Sequence, residues 1–191
     1  MKVVVETQVI EFAFEKYVNY MLKVALIHDY SGIQEIKFKD SFSHPKSDPE
    51  SLACYLRGGN GNTSTIEVNV KNIINGNKIS EYIFKRHPEI ASLWLSEIVF
   101  HEIGHHVHHF KRHGVKHKRF ESFAGEYAKA GYCNYLISRQ KEIISSYKWG
   151  AKNILELDKE NRATFKHNLN ELLLWLEKNK NGINYPKSNN K

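Results

Sequence analysis

The segment His101-Glu102-Ile103-Gly104-His105 constrains the fold of this chain more than any other, because it places two imidazoles four residues apart with a carboxylate beside the first. Residues i and i+4 lie on one face of an α-helix, so His101 and His105 can bind one tetrahedral Zn²⁺ together. Glu102 would then lie near the open coordination position, where hydrolysis needs a general base. The segment therefore predicts a helix that carries the metal site of a hydrolase.

The residues around this segment have the apolar spacing of a long, central helix. At about 100° per residue, one set of apolar side chains lies nearly opposite the two histidines, and a second set continues the histidine-bearing face. The first set is Phe100, Ile103, Val107 and Phe110, and the second is Trp94 and Ile98. Pro88 suits the first turn of a helix, and Gly114 suits its C-terminal cap. We therefore predict a helix over residues 88–113.

The remaining protein ligand decides the subclass of such a site. Metzincin peptidases take a third histidine shortly after the second, with a glycine before it, but His108 and Lys111 occupy those two positions here. The other common ligand is a glutamate from a following helix. Glu121 and Glu126 both lie in the right part of the chain for that role.

Helical spacing favours Glu121 as this ligand. Gly125 and Ala128 lie four and seven residues after Glu121, on the same helical face, so their small side chains would let that face approach the first helix closely. Glu126 lies five residues after Glu121 and points elsewhere. The alternative, in which both glutamates are solvated surface charges, stays open at this point.

The segment from Glu121 to Ala128 resembles the third-ligand helix of a known peptidase family. Its pattern, Glu-x-x-Ala-x-x-aromatic-Ala, is similar to that of gluzincin metallopeptidases, above all minimal single-domain gluzincins and the catalytic domains of lethal-factor-type toxins and Pro-Pro endopeptidases. The resemblance covers residues 97–128. It implies a zincin-like fold, one Zn²⁺ bound by His101, His105 and Glu121, and hydrolysis of peptide bonds.

Two positions depart from the pattern of this family. Gly125 stands where the family usually has an acid or an amide that orients a zinc-bound imidazole. The toxin-like members also carry a tyrosine shortly before the third ligand, which stabilises the transition-state oxyanion, whereas this chain has Gly-Val-Lys-His at residues 114–117. His113 and His117 are the candidates to replace that tyrosine.

Length and composition predict a single domain, and the resemblance implies that its class is α+β. With 191 residues and 41% hydrophobic content, the chain is long enough for one well-buried core. We assign residues 1–180 to one zincin-like domain and residues 181–191 to a polar tail that frays. The resemblance implies a small mixed or antiparallel sheet packed on the HExxH helix, followed by a helical C-terminal part.

Apolar periodicity outlines the other elements. Spacing typical of amphipathic helices recurs near both ends of the chain, and two short segments alternate between apolar and polar residues as strands do. The helical sets are Ile10, Phe14, Tyr17, Met21 and Val24, then Phe165, Leu169, Leu172, Leu173 and Leu176, and the strands are centred on Ile36 and Phe38 and on Ile66 and Val68. The helix of Glu121 is expected to end before Trp149-Gly150.

A glycine- and asparagine-rich segment at residues 57–62 predicts a hairpin, because it connects residues 54–56 with the strand that follows. Zincins bind an extended peptide along an edge strand that borders the cleft. We assign that role to residues 63–70. The alternative is an ordinary strand whose edge is covered.

The formal charge of +7 and the basic run over residues 106–119 raise the question of nucleic-acid binding. A basic patch attracts phosphate without sequence specificity, and Phe110 and Phe120 could stack on bases. No recognised nucleic-acid motif frames the run, so we do not expect nucleic acid to be the main partner. The charges are then explained as a solvated loop beside a site for an acidic or anionic substrate.

The remaining sequence signals concern location. Residues 1–6 lack the basic start and the apolar run of a signal peptide, and no stretch is long and apolar enough to span a membrane. Cys54 and Cys133 are too few for a disulfide framework or a zinc-thiolate cluster. We expect a cytoplasmic protein, with secretion left open.

Together these features predict a zinc metalloendopeptidase that binds one Zn²⁺ per chain and cleaves peptide or protein substrates. His101, His105 and Glu121 are the predicted metal ligands, and Glu102 is the predicted general base. The alternative from another class is a non-catalytic, metal-stabilised binding protein of the same fold that docks an acidic or nucleic-acid partner.

Overall fold

The computed structural model describes residues 1–45, 47–58, 63–111, 118–153 and 159–186, which combine helices with one sheet. The strands are β1 (Lys2–Val5), β2 (Ile33–Lys39), β3 (Ala53–Leu56) and β4 (Ser64–Asn69). The helices are α1 (Phe14–Val24), α2 (Ile27–Tyr30), α3 (Val70–Ile74), α4 (Lys78–Arg86), α5 (Pro88–Lys111), α6 (Lys118–Ser138), α7 (Gln140–Asn153) and α8 (Lys159–Lys178). The predicted α+β class is confirmed. None of the described helices is long and apolar enough to cross a lipid bilayer.

The sheet has the strand order β1-β2-β4-β3 and mixed strand directions. β1 pairs with β2 and β2 pairs with β4 in parallel, whereas β3 runs antiparallel to β4. The predicted antiparallel pairing of the hairpin is therefore confirmed, while residues 59–62 of its connection lie outside the described residues. The prediction that residues 63–70 form the edge is wrong. β4 is paired on both sides, because β2 occupies one side and the hairpin places β3 on the other. Within the described residues, β3 is the edge strand at this end of the sheet.

The core of the sheet consists of the apolar side chains that the alternating pattern indicated. Ile36 and Phe38 of β2 and Ile66 and Val68 of β4 are fully buried. The ring of Phe14 on α1 stacks on Phe38, with 4.2 Å between the ring centroids. Helix α1 thus covers the sheet with its predicted apolar face, because side chains spaced at three and four residues line one side of it.

The predicted HExxH helix is α5, and it lies at the centre of the molecule. The predicted core side chains Phe100, Ile103 and Val107 are buried. Phe110, the last member of that set, is 59% exposed, so its predicted burial is wrong. The buried apolar face of α5 therefore ends one turn earlier, at Val107. Residues 112–113, the predicted end of this helix, lie outside the described residues.

The helix predicted to follow α5 is divided earlier than expected. α6 ends at Ser138 and α7 begins at Gln140, so Trp149-Gly150 lies inside α7 and does not mark a break. Gly150 is required for packing instead, because a Cβ at this position would lie 2.9 Å from the Phe165 ring and 3.0 Å from the His87 ring. A glycine within a helical pattern can therefore indicate close packing.

The C-terminal part is helical, as predicted, and the residues after α8 are packed against the core. Helix α8 buries Phe165, Leu172 and Leu176, whereas Leu173 is exposed. The Asn134 side chain forms two hydrogen bonds with the Ile183 backbone, of 2.9 and 3.0 Å, and the Tyr185 hydroxyl donates to a backbone carbonyl of α1 at 3.0 Å. The prediction of a fraying tail is therefore wrong for residues 183–185. Residues 187–191 lie outside the described part of the chain.

Candidate metal centre

The two histidines of the HExxH segment lie on one side of α5. The ring centroids of His101 and His105 are 4.7 Å apart, and the two rings are nearly perpendicular, at 86°. One ligand atom from each of His101, Glu102 and His105 lies within 4.8 Å of the other two. The side chains of the two histidines are 32% and 12% exposed, so both rings border a solvent-accessible cleft.

Glu121, in the first turn of α6, completes this group. Its carboxylate oxygens lie 3.3 Å from His101 Nε2 and 3.6 Å from His105 Nε2. Ligand atoms bound to one zinc ion at about 2.0–2.1 Å in a tetrahedron are about 3.4 Å from one another. The carboxylate therefore has the separation from each imidazole that shared Zn²⁺ binding requires. Glu126, the alternative ligand, is exposed and lies more than one turn further along α6.

Helices α5 and α6 approach closely beside this site because the HExxH segment contains a glycine. A Cβ on Gly104 would lie 2.8 Å from Ala124 Cα and 3.0 Å from Tyr127 Cβ. This contact holds the first turn of α6 over the two histidines. The prediction that Gly125 and Ala128 allow the close approach is wrong for Gly125, whereas Ala128 is buried. Gly125 is exposed, with no atom within 4 Å of the position of a Cβ, because the contact face of α6 runs through Ala124.

We expect Gly104→Ala to lower the free energy of unfolding by about 1–3 kcal/mol, the usual effect of overpacking, because its nearest neighbours include backbone atoms. Gly125→Ala is the matched control, since it makes the same change in a helix without a clash. It should raise the free energy of unfolding by about 0.5–1 kcal/mol through the higher helix propensity of alanine. Urea denaturation of the metal-free protein measures both values. Equal values for the two variants would contradict the close contact at Gly104.

Glu102 is buried beside the histidines, with 5% of its surface exposed. Burial, and secondly the negative charge of Glu121, raise the pKa of Glu102 to about 8, while a hydrogen bond from the backbone of Tyr55 favours the carboxylate and acts in the opposite direction. A cation bound by the histidines would also favour the charged form of Glu102. Glu102 is therefore a carboxyl group whose proton affinity lies in a range useful to a general base.

A cleft runs along β3 and passes the candidate metal site. It consists of two recesses of about 600 and 490 Å³, which meet at Ser51, Ala53, His101 and Glu102. The larger recess is also lined by Leu52, Ile73, Trp94, Glu97 and Ile98, and the smaller one by Cys54, Tyr55, His105, Phe120 and Glu121. Trp94 and Ile98 thus lie on the histidine-bearing face of α5, as predicted. They border the cleft because this face of α5 is left open beside the edge of the sheet.

The backbone of β3 is turned towards this cleft at every second residue. Asn69 N–H donates to the Leu52 carbonyl at 2.8 Å, so Leu52 and Cys54 direct their backbone groups to β4. Ala53 and Tyr55 then direct theirs away from β4. The Tyr55 N–H faces the recess that Glu102 lines and favours the charged form of its carboxylate, and Ala53 presents its N–H and C=O to the cleft.

Tyr55 was missed at the sequence level, because nothing in residues 53–56 indicates a contact with Glu102. The basic run also differs from its predicted form. His106 and His108 within it are buried, and burial lowers the pKa of His106, so neither contributes to a basic surface. His113 and His117, the candidates for the oxyanion, lie outside the described residues.

The arrangement has three chemical capacities. Two imidazoles and a carboxylate can hold a cation, a second carboxylate beside them can accept a proton, and the edge of β3 can pair with an extended chain. Comparison of this chain with protein families, with curated proteins and with solved structures finds no match.

Proposed function

We propose that this protein is a zinc-dependent metalloendopeptidase of the gluzincin type, with a zincin-like arrangement of sheet and helices. One observation carries the proposal. The Nε2 atoms of His101 and His105 lie 3.3 and 3.6 Å from the carboxylate of Glu121 on a second helix, with Glu102 beside them. These side chains have the charge and the spacing that zinc ligands require, and three protein ligands leave the fourth position of a tetrahedral ion open.

The residues of the site divide the chemistry between them. A bound Zn²⁺ would supply a Lewis acid that polarises a peptide carbonyl and activates water. Glu102 is placed to accept the proton of the attacking water and to deliver it to the departing amine. Burial shields the Glu102 carboxylate from bulk water, and the Tyr55 backbone bond orients it. Glu121, in contrast, is 64% exposed and contacts both histidines, as a metal ligand at the rim of a cleft would.

The edge of β3 supports a peptide as the substrate. An extended chain can pair with the N–H and C=O that Ala53 presents, in the way that strands add to a sheet edge. The recess of about 600 Å³ beside this edge has an apolar wall formed by Trp94 and Ile98. We therefore expect substrates to be extended peptides with a large apolar side chain close to the bond that is cleaved.

A broad peptide library, with products identified by mass spectrometry, tests this function. The zinc-loaded protein should cleave a subset of the peptides, a chelator should stop cleavage, and about one equivalent of Zn²⁺ should restore it. The cleaved peptides should share a large apolar residue at a fixed position from the cleavage site. If the zinc-loaded protein cleaves none of them, the metal-stabilised binding protein becomes the better account.

A further inference from the structure

His106, which follows the second histidine of the HExxH segment, joins three parts of the molecule. The residue is 2% exposed. Its Nε2 lies 2.9 Å from the Ser31 carbonyl oxygen, and its Nδ1 lies 3.0 Å from the Tyr55 hydroxyl. The His106 and Tyr55 rings also meet edge to face, with 5.4 Å between their centroids. His106 thereby connects α5 with the edge strand β3 and with the segment between α2 and β2.

The bonding partners determine which atom donates each hydrogen. A carbonyl oxygen only accepts, so His106 Nε2 carries the proton that it donates to Ser31. A buried ring with uncharged partners on both nitrogens is neutral, which leaves Nδ1 as the acceptor for the Tyr55 O–H. The Tyr55 oxygen then accepts from Ser64 Oγ at 2.9 Å, and Ser64 Oγ accepts from the Gly58 N–H at 3.2 Å. The hydrogen bonds therefore run in one direction from the hairpin to α5.

Glycine at position 32 brings the segment between α2 and β2 close enough to His106 to complete this series of hydrogen bonds. The φ angle of Gly32 is +98°, and a Cβ there would lie 3.4 Å from His106 Cε1. Only glycine adopts such a φ readily, so the chain can turn against the ring and direct the Ser31 carbonyl at Nε2. This carbonyl selects the tautomer, because without it the proton could move to Nδ1 and Tyr55 would lose its acceptor.

Tyr55 is attached to α5 at two points, one turn apart. Its hydroxyl bonds His106, and its backbone N–H faces the recess that Glu102 lines and favours the charged form of that carboxylate. Glu102 and His106 are four residues apart on the same helical face. We propose that His106 is a positioning residue, which holds Tyr55 by its hydroxyl and so keeps the Tyr55 backbone N–H on the Glu102 carboxylate. The role in catalysis rests on the proposed function, since Glu102 is the general base only of a hydrolase.

The first test compares two tyrosines. Tyr55→Phe removes only the hydroxyl, and Tyr135→Phe is the matched control, because Tyr135 also donates a hydrogen bond of 3.0 Å, in its case to Ser92. Tyr55→Phe should lower kcat by about ten- to a hundredfold, the effect of a misplaced catalytic group. KM should change less than about threefold, because Ala53 still presents its backbone to the substrate. Tyr135→Phe should leave both constants within about twofold of the native values.

The kinetic constants are expressed per mole of bound zinc, so that a loss of folded protein does not count as a loss of catalysis. A smaller kcat in Tyr55→Phe alone supports the positioning role. An unchanged kcat in Tyr55→Phe, or an equal loss in Tyr135→Phe, overturns it, because the hydroxyl would then contribute only general stability.

The second test changes His106 itself. Gln carries both a donor group and an acceptor group, as a neutral imidazole does, whereas Leu fills the space without either. We expect the kcat of His106→Gln to stay within about threefold of the native value. The kcat of His106→Leu should fall as far as that of Tyr55→Phe. Equal kcat values for the Gln and Leu variants would overturn the role of the hydrogen bonds. If His106→Leu does not fold, the comparison of Tyr55→Phe with His106→Gln decides in its place.

A third measurement does not depend on cleavage. Hydrogen exchange followed by NMR should show the amide at position 55 protected in the native protein, and Tyr55→Phe should reduce that protection by about tenfold or more while the amides of β2 and β4 keep theirs. Tyr135→Phe should leave the amide at position 55 unchanged. If the native protein cleaves no peptide but this local loss is seen, His106 positions Tyr55 and the proposed function fails. If the protein is active and protection at position 55 is the same in all variants, the positioning role fails.

Discussion

Glu102→Gln should fold, retain zinc and lose peptide cleavage by about two to four powers of ten, the usual effect of removing a general base. The amide of glutamine keeps the size and polarity of the side chain, and it can still accept the Tyr55 backbone hydrogen bond. It cannot accept a proton from water at neutral pH. Cleavage of a peptide found in the library screen measures the loss, and zinc analysis confirms that the metal site is intact.

Glu126→Gln is the control for this substitution, because Glu126 is exposed on α6 and takes no part in the proposed mechanism. Its activity should equal that of the native protein. If Glu102→Gln cleaves as fast as the native protein, the observed cleavage does not use Glu102, and the proposed mechanism is wrong. If both variants lose activity equally, the loss comes from a general change in the protein.

Zinc binding should depend on the histidines and on one glutamate only. One ligand is removed in each of His101→Ala, His105→Ala and Glu121→Ala. Each variant should therefore weaken zinc binding by more than the roughly 10- to 100-fold effect of losing a residue that only hydrogen-bonds to a ligand. Glu126→Ala should leave zinc binding unchanged, because its side chain lies more than one turn from Glu121. Competition with a chromophoric chelator, followed by elemental analysis of reloaded protein, measures the affinities and the stoichiometry.

Two results would contradict this assignment in different ways. Unchanged zinc content in both histidine variants would show that α5 does not bind the metal. If Glu126→Ala weakens zinc binding strongly and Glu121→Ala weakens it little, the third ligand is Glu126. That result would require α6 to be rotated about its axis from the observed orientation. Gly104→Ala tests the packing of α6 against α5 independently, because it changes the contact between the two helices without removing a ligand.

The local features of this site could be derived from the sequence. The spacing of His101 and His105 determines that both rings lie on one side of α5, because the period of a helix is the same in every protein. The alternation of Ile36, Phe38, Ile66 and Val68 similarly identified the side chains that enter the core. These predictions need only the geometry of a single element, which the neighbouring residues in the chain determine.

The placement of Glu121 beside the two histidines was predicted correctly, but one supporting argument was wrong. Glu121 lies against both histidines, although the close helix contact uses Gly104 and Ala124 instead of Gly125. Helical spacing shows which residues share a face, and it does not show which of two neighbouring faces meets a partner. That choice depends on how α5 and α6 are rotated about their own axes when the core is packed.

Only the tertiary structure decided the features that join distant parts of the chain. The edge strand is β3 because β2 pairs with the other side of β4, and the pairing order of strands depends on contacts far apart in sequence. The attachment of Tyr55 to Glu102 and His106 spans about fifty residues and has no local signal. Ser31 is further away still, 75 residues before His106. Spacing within an element determines which chemical groups share a face, whereas packing between elements decides which groups meet across the cleft.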